Sequence, residues 1–189
     1  MARVNRALFP ASRCLFMYRE VLSVAKSVYR LSLTDPVHIF WIVGRLSGPM
    51  TMMIGEPLGT LCSRVRRLDS DLTIGVLMWA AATKTYLDAR RRGFDISALR
   101  YEDVVARPLD MCRVILEFCR LPVSLAELAV KALDVDSQRN SIAAKSKIGH
   151  FKEPELTPQT KAKLNELLKS DGVPLIGEPG ILEGTVTCC

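Results

Sequence analysis

The 189-residue chain lacks the motifs of several common classes of site. Its six cysteines form no C-x-x-C pair and it has two histidines, so we predict no zinc or other metal site. Neither G-x-x-x-x-G-K-[ST] nor G-x-G-x-x-G occurs, which excludes those two phosphate-binding loops. No RNP-type aromatic motif is present, and we expect no nucleic-acid partner. Cys112 and Cys119 lie seven apart in a helical segment and are interpreted as buried thiols rather than a disulfide.

Long apolar runs are also missing. The run 72–82 is about half the length of a bilayer span and ends near Lys84, and the stretch 36–55 is interrupted by charge, Gly and Pro. No apolar run of signal-peptide length follows Arg3 and Arg6. We therefore expect neither a signal peptide nor a transmembrane helix. The compartment stays unknown: the chain as given is predicted to be cytoplasmic, and a Golgi location stays open for a longer relative.

The composition is that of a globular protein with a basic surface. Hydrophobic residues make up 49% and charged residues 24%, which predicts a single domain over 1–189 with a real core. Residues 173–189 are predicted to form a less ordered tail. The formal charge of +6 favours anionic partners such as a nucleotide, a phosphorylated or sulfated ligand, a membrane surface or nucleic acid. Charge alone does not choose among them.

Strand-length apolar runs alternate with helical periodicity along the chain. Val21, Ala25 and Val28 repeat at helical spacing directly after the apolar run 14–18. Pro108 and the pair Thr157-Pro158 are typical helix starts, and Gly93 is a typical helix end. A capping box begins at Ser124. The predicted strands are 14–18 and 96–101, and the predicted helices are 20–31, 71–92, 108–119, 124 onward and 158–171. This alternation predicts an α/β fold dominated by helix, with a few parallel strands.

Four polar residues form one stripe on the first predicted helix. Arg19, Ser23, Ser27 and Arg30 are spaced by four, four and three residues, which places them on one helical face. The stripe begins where a strand ends and a helix starts, a position that favours anions, and guanidinium groups match phosphate. The alternative is the ordinary solvated face of an amphipathic helix.

Two further segments carry candidate functional groups. The second strand ends in Tyr101, Glu102 and Asp103, and the two carboxylates fit acid/base work, a metal, or helix capping with an ion pair. The later segment 136–152 contains Arg139 and Lys145 and has no acid between Asp136 and Glu153. Such a basic loop can close on a phosphate or can be an ordinary solvated loop, and His150 within it is interpreted as a surface residue.

Together these segments resemble the sulfotransferases that use 3′-phosphoadenosine 5′-phosphosulfate. In that family a strand ends in Arg and a Ser follows eight residues later, as Arg19 and Ser27 do here. The segment 99–122 is similar to the family's Y-E-D strand with its proline-led helix and Leu-Pro ending, and 137–147 is similar to its late loop. The resemblance runs from about residue 14 to 172. It implies the C-terminal part of a P-loop-NTPase-like sulfotransferase fold.

The resemblance also implies residue roles. Arg19 and Ser27 would bind the 3′-phosphate of the nucleotide donor, Tyr101 would lie near the adenosine, and Arg139 or Lys145 would close the pocket. Ser23 and Arg30 are lesser candidates. The implied reaction transfers a sulfuryl group to a hydroxyl or amine acceptor, with carbohydrate as one acceptor class, and needs no metal.

The chain departs from the family at its start. The family's 5′-phosphosulfate loop should lie well upstream of the first stripe, yet Arg19 is near the beginning and no such loop occurs. We therefore expect an N-terminally truncated and inactive fragment, and the catalytic base stays unknown. The alternative function is a non-enzymatic helical interaction protein with a basic surface.

Overall fold

A computed structural model of the chain describes residues 13–34, 72–135, 146 and 150–188. Its contacts divide the chain into two compact units. The first comprises Met1–Glu20, Tyr86–Val135 and Ile181–Cys189, and the second comprises Val21–Thr85 and Asp136–Gly180.

Helices dominate the described residues, and the strands are few and parallel. This confirms the predicted α/β class at that level. The strands are β1 (Cys14–Tyr18) and β2 (Ile96–Arg100). The helices are α1 (Val21–Thr34), α2 (Thr73–Arg91), α3 (Tyr101–Ala106), α4 (Pro108–Phe118), α5 (Ala126–Leu133) and α6 (Pro158–Asp171), with a 3₁₀ turn at Val123–Leu125.

The sheet of the first unit is built on β2. β1 pairs with β2 in parallel, in a register that places Cys14 beside Ile96 and Tyr18 beside Arg100. The C-terminal segment adds to β2 through Ala98, whose N–H donates to the Gly184 carbonyl at 3.0 Å and whose carbonyl accepts from the Val186 N–H at 2.8 Å. The residues over which the sequence predicted a less ordered tail thus supply backbone partners to the fully buried Ala98.

Helix ends follow the residues that mark them in the sequence. Thr157 caps α6, its hydroxyl oxygen accepting from the Thr160 N–H at 3.1 Å. Gly93 follows α2 with φ +77°, and the Gly93 and Phe94 N–H groups donate to the Arg90 and Ala89 carbonyls in a Schellman motif. The capping-box prediction at Ser124 is wrong. That residue lies in the 3₁₀ turn, and Leu125, the N-cap of α5, makes no side-chain cap hydrogen bond.

Three apolar clusters stabilise the first unit. Tyr18, Tyr86, Ala98 and Leu182 join β1, α2, β2 and the C-terminal segment. A second cluster of Leu99, Val104 and Met111 packs α3 and α4 against β2. The third cluster joins α4 and α5 through Cys112, Leu116 and Ala126. Burying these side chains against one another supplies the main favourable free energy of folding of this unit.

In the second unit, α1 and the first part of α2 approach closely where both have small residues. A side-chain carbon at Gly75 would meet the Ala25 backbone, and Ala25 is fully buried. Leu164 and Leu168 of α6 are also fully buried in this unit, and Val173 and Ile176 are nearly so.

The described cysteines are free thiols. Cys112 is buried, as predicted, but Cys119 is exposed just beyond the end of α4, so the prediction of a buried thiol there is wrong. Cys14 and Cys188 are half-buried. None of the helices in the described ranges is long and apolar enough to cross a bilayer.

Candidate functional site

The candidate site lies at the carboxyl ends of the two parallel strands. Because β1 and β2 run in the same direction, the residues that follow Tyr18 and Arg100 share one edge of the sheet. Arg19 and Tyr101 meet there, with the Arg19 guanidinium carbon 4.8 Å from the centre of the Tyr101 ring. Tyr101 remains 38% exposed. Ligands of parallel α/β sheets bind at this kind of edge, so the sheet brings together two of the five predicted site residues where a ligand could reach them.

The backbone just before Arg19 is fixed by the hydroxyl of Tyr18, which is buried. That oxygen accepts from the Leu182 N–H at 3.2 Å and lies 3.0 Å from the Thr185 hydroxyl oxygen. The Thr185 hydroxyl donates to the Leu182 carbonyl at 2.6 Å, so the Tyr18 hydroxyl donates to Thr185. The C-terminal segment therefore fixes the end of β1.

The backbone just after Arg19 is fixed by Glu102. The Glu20 N–H donates to Glu102 Oε1 at 2.9 Å. Glu102 Oε2 lies 3.4 Å from Arg100 Nε, and Asp103 Oδ1 lies 3.9 Å from Arg100 Nη1. Of the interpretations left open for the two carboxylates, these contacts favour a structural ion pair with backbone capping. Within the described ranges, no group of three or more His, Cys, Asp or Glu side chains could hold a metal ion.

The charges at this edge of the sheet are mixed. Two arginines, Arg19 and Arg100, and three acids, Glu20, Glu102 and Asp103, lie at or just after the ends of β1 and β2, and Arg100 pairs with Glu102 and Asp103. A guanidinium over an exposed aromatic ring fits a phosphate and a base, whereas the carboxylates oppose a dianion. A dianionic ligand at this edge would therefore be attracted by Arg19 and opposed by the neighbouring carboxylates.

Ser27 lies on α1, in the second unit, and is half-buried. Its neighbours on the same helix pair with an acid that follows the basic segment. Lys26 Nζ lies 2.6 Å from Glu153 Oε2, and Arg30 Nη1 lies 3.5 Å from Glu153 Oε1. The hydrogen bond from Lys26 holds the pKa of Glu153 below its usual value. Partial desolvation acts in the opposite direction, and the nearby charges of Lys26 and Arg30 lower the pKa further. Arg139 and Lys145 lie outside the described residues.

Two interactions at these positions were not predicted from the sequence. One is the hydrogen bond between Glu102 and the Glu20 N–H, which joins residues 82 apart. The other is the pair between Lys26 and Glu153, 127 residues apart. Both acids can be seen in the sequence, but the spacing of neighbouring residues does not indicate a partner so far away along the chain.

Comparison with known proteins identifies no relative. The chain matches no protein-family model, no curated protein and no solved structure.

Proposed function

We propose that the chain is a sulfotransferase-like protein that binds the 3′-phosphate and adenosine of 3′-phosphoadenosine 5′-phosphosulfate with Arg19 and Tyr101. The observation that supports this proposal is the placement of the Arg19 guanidinium over the exposed Tyr101 ring at the carboxyl edge of a parallel strand pair. The resemblance of the surrounding sequence selects this nucleotide from the wider class of anionic ligands.

The two side chains supply complementary chemistry. The planar guanidinium of Arg19 can donate two parallel N–H bonds to phosphate oxygens, which a lysine cannot do. Tyr101 offers an aromatic surface beside that cation. On the strength of the sequence resemblance, Ser27 belongs to the proposal as a further ligand of the 3′-phosphate, and Arg139 or Lys145 as the residue that closes the pocket.

The donor supplies the group that is transferred. In the proposed reaction an acceptor oxygen or nitrogen forms a bond to sulfur while the bond from sulfur to the bridging phosphate oxygen breaks. The leaving group is adenosine 3′,5′-bisphosphate, and the acceptor proton passes to a base. In this chain, Arg19 and Tyr101 would bind and orient the nucleotide end that does not react.

Calorimetric titration with adenosine 3′,5′-bisphosphate at low salt tests the binding step. We expect the parent chain to bind, and Arg19→Ala to weaken binding about ten- to hundredfold, as expected for the loss of a charge-assisted hydrogen bond. Arg113→Ala is the matched control, because Arg113 is an exposed arginine that pairs with Asp110 on α4 and is not a predicted site residue. Equal affinity of the parent and Arg19→Ala would contradict the assignment.

A transfer assay tests the activity. Labelled donor is incubated with a panel of sugars, phenols and steroids, and the label is followed into the acceptor. Transfer above a boiled-protein blank, and its loss in Arg19→Ala, would support a sulfotransferase-like enzyme. Because the sequence has no 5′-phosphosulfate loop, however, the expected result is nucleotide binding with little or no transfer, and robust transfer would overturn the prediction of an inactive chain.

The alternative is a non-enzymatic interaction protein, which exposed apolar residues favour. Leu128 on α5 is 65% exposed and Leu121 before it is 51% exposed. Contiguous exposed apolar surface is typical of interaction sites, and these two residues lie seven positions apart in the sequence. Failure of the parent chain to bind any adenosine phosphate at low salt would favour this alternative over the enzyme.

A further inference from the structure

We infer that Glu102 is a positioning residue that holds Arg19 over Tyr101, so that the acid after β2 organises the cation after β1. The inference rests on the proposed function only for its consequence in nucleotide binding. The positioning itself depends on the contacts of the first unit alone.

The chain around Arg19 is restrained on both sides. Tyr18 is buried and its hydroxyl makes two hydrogen bonds to the C-terminal segment. Arg19 and Glu20 are both exposed, so packing restrains them little. The hydrogen bond from the Glu20 N–H to Glu102 Oε1 at 2.9 Å ties the backbone on the far side of Arg19 to the residue that follows Tyr101.

Glu102 is itself restrained. Its side chain is only 31% exposed, and its second oxygen lies 3.4 Å from Arg100 Nε. Arg100 is the last residue of β2, and Tyr101, whose ring lies under Arg19, is the residue between Arg100 and Glu102. Glu102 directly follows Tyr101 in the chain. The Glu102 side chain therefore fixes the position of the Glu20 backbone relative to the Tyr101 ring. Loss of its oxygen would release Arg19 from the ring face.

Glu102 can affect anion binding through its charge as well as by positioning Arg19. A carboxylate beside a phosphate site also repels the phosphate, so removing Glu102 has two opposite effects on anion binding. Glu102→Gln removes the charge but retains an oxygen that can accept from the Glu20 N–H. Glu102→Ala removes the charge and the acceptor. Both variants have lost the same charge. The ratio of their dissociation constants for the nucleotide therefore measures the effect of the hydrogen bond.

Nuclear magnetic resonance of the side chain of Arg19 measures the positioning without any nucleotide. Protons over the face of an aromatic ring are shifted upfield, and Tyr101→Leu defines the Arg19 signals without the ring. In Glu102→Ala we expect the upfield displacement of the Arg19 side-chain signals largely to disappear. In Glu102→Gln we expect it to persist.

Asp103→Ala is the control for a nearby carboxylate that does not bind the Glu20 N–H. Asp103 lies one residue further on and contacts Arg100 at 3.9 Å. We expect this variant to keep the upfield displacement. Persistence of the displacement in Glu102→Ala would overturn the inference, and so would its loss in both Glu102→Gln and Asp103→Ala, since charge rather than the hydrogen bond would then be responsible.

Binding of adenosine 3′,5′-bisphosphate measures the consequence. We expect Glu102→Ala to bind the nucleotide about tenfold more weakly than Glu102→Gln. A change of this size is expected for the loss of one hydrogen bond that positions a charged group. Equal affinities of the two variants, together with an unchanged Arg19 spectrum, would overturn the positioning role. If the parent binds no nucleotide while the Arg19 signals still depend on Glu102, the proposed function fails and the positioning role is supported.

Discussion

At the scale of single residues, Gly75 sets how closely α1 and α2 approach in the second unit. A methyl group at this position would meet the Cα atom of Ala25, which is backbone and cannot rotate away. We expect Gly75→Ala to destabilise the chain by about 1–3 kcal/mol through overpacking, although alanine is the better helix former by about 1 kcal/mol. Urea denaturation followed by circular dichroism measures the change in the free energy of unfolding.

The partner residue provides the control for this prediction. Ala25→Gly removes only the Ala25 methyl group, so combining it with Gly75→Ala should not restore stability, because the Ala25 Cα atom remains. A double variant as stable as the parent would show that the Ala25 methyl group alone makes the contact. Gly75→Ala with unchanged or higher stability would show that the two helices separate at no cost.

At the scale of elements, local residues explain which predictions from the sequence were confirmed. The apolar run 14–18 became β1 with the same bounds, because five consecutive apolar residues suit a strand in a parallel pair. Pro108 and Thr157 begin helices, because each satisfies or removes an unpaired N–H group of the first turn. Ser124 failed as a cap because the chain enters α5 through a 3₁₀ turn, which local spacing does not distinguish from an α-helical start.

The candidate site was less predictable than the elements that carry it. The sequence identified Arg19 and Tyr101 by their places at strand ends, and the parallel register brings these ends together. The acceptor of the Glu20 N–H depends on residues 82 positions apart, so it is decided by tertiary packing and not by local pattern. The opposing carboxylates at the same edge became evident only from the pairing of β1 with β2.

The pairing of α1 with Glu153 predicts a pH dependence of stability. The pKa of Glu153 is lowered in the folded chain, mainly by the hydrogen bond from Lys26. A lowered folded-state pKa gives stability that is present above the unfolded pKa, about 4.3, and lost as pH falls through the folded value. Glu153→Gln should therefore melt about 1–2 °C below the parent at pH 7, as expected for a partly exposed ion pair.

Thermal melts of the two proteins across pH check this expectation. The difference in melting temperature should close as pH falls below about 4, because the parent then also loses the charged carboxylate. Glu155→Gln is the matched control, since Glu155 is an exposed glutamate two residues further on. A difference that persists in acid would assign the loss to packing of the side chain rather than to its charge.

At the scale of the whole molecule, charge is unevenly distributed, and this affects how the proposed nucleotide would bind. The chain carries a formal charge of +6, which attracts anions at long range. Near the carboxyl ends of β1 and β2, however, three acids accompany two arginines. Salt at physiological concentration screens the overall charge beyond about 8 Å. Nucleotide affinity at this edge should therefore depend on the local hydrogen bonds of Arg19 more than on the overall charge.

The C-terminal segment determines whether the first unit is stable as a whole. Leu182 is 3% exposed, the Leu182 N–H donates to the Tyr18 hydroxyl, and the Glu183 carbonyl accepts from the Tyr86 hydroxyl at 2.6 Å. Ending the chain after Gly180 would remove these partners and leave both backbone groups of the buried Ala98 without theirs. Each buried polar group left unpaired costs about 1–3 kcal/mol, so we expect this deletion to abolish the cooperative unfolding transition of the first unit.

Single substitutions keep this test informative if the shortened chain does not fold. Leu182→Ala should destabilise the chain by about 2–5 kcal/mol, because it leaves a cavity beside Tyr18 and Tyr86. Ile181→Ala is the control, since Ile181 is 62% exposed and its truncation should cost little. Hydrogen exchange at the Ala98 amide should accelerate in Leu182→Ala and not in Ile181→Ala. If both variants were as stable as the parent, these residues would form a loosely attached tail. The Ala98 N–H and carbonyl would then bond to water in solution.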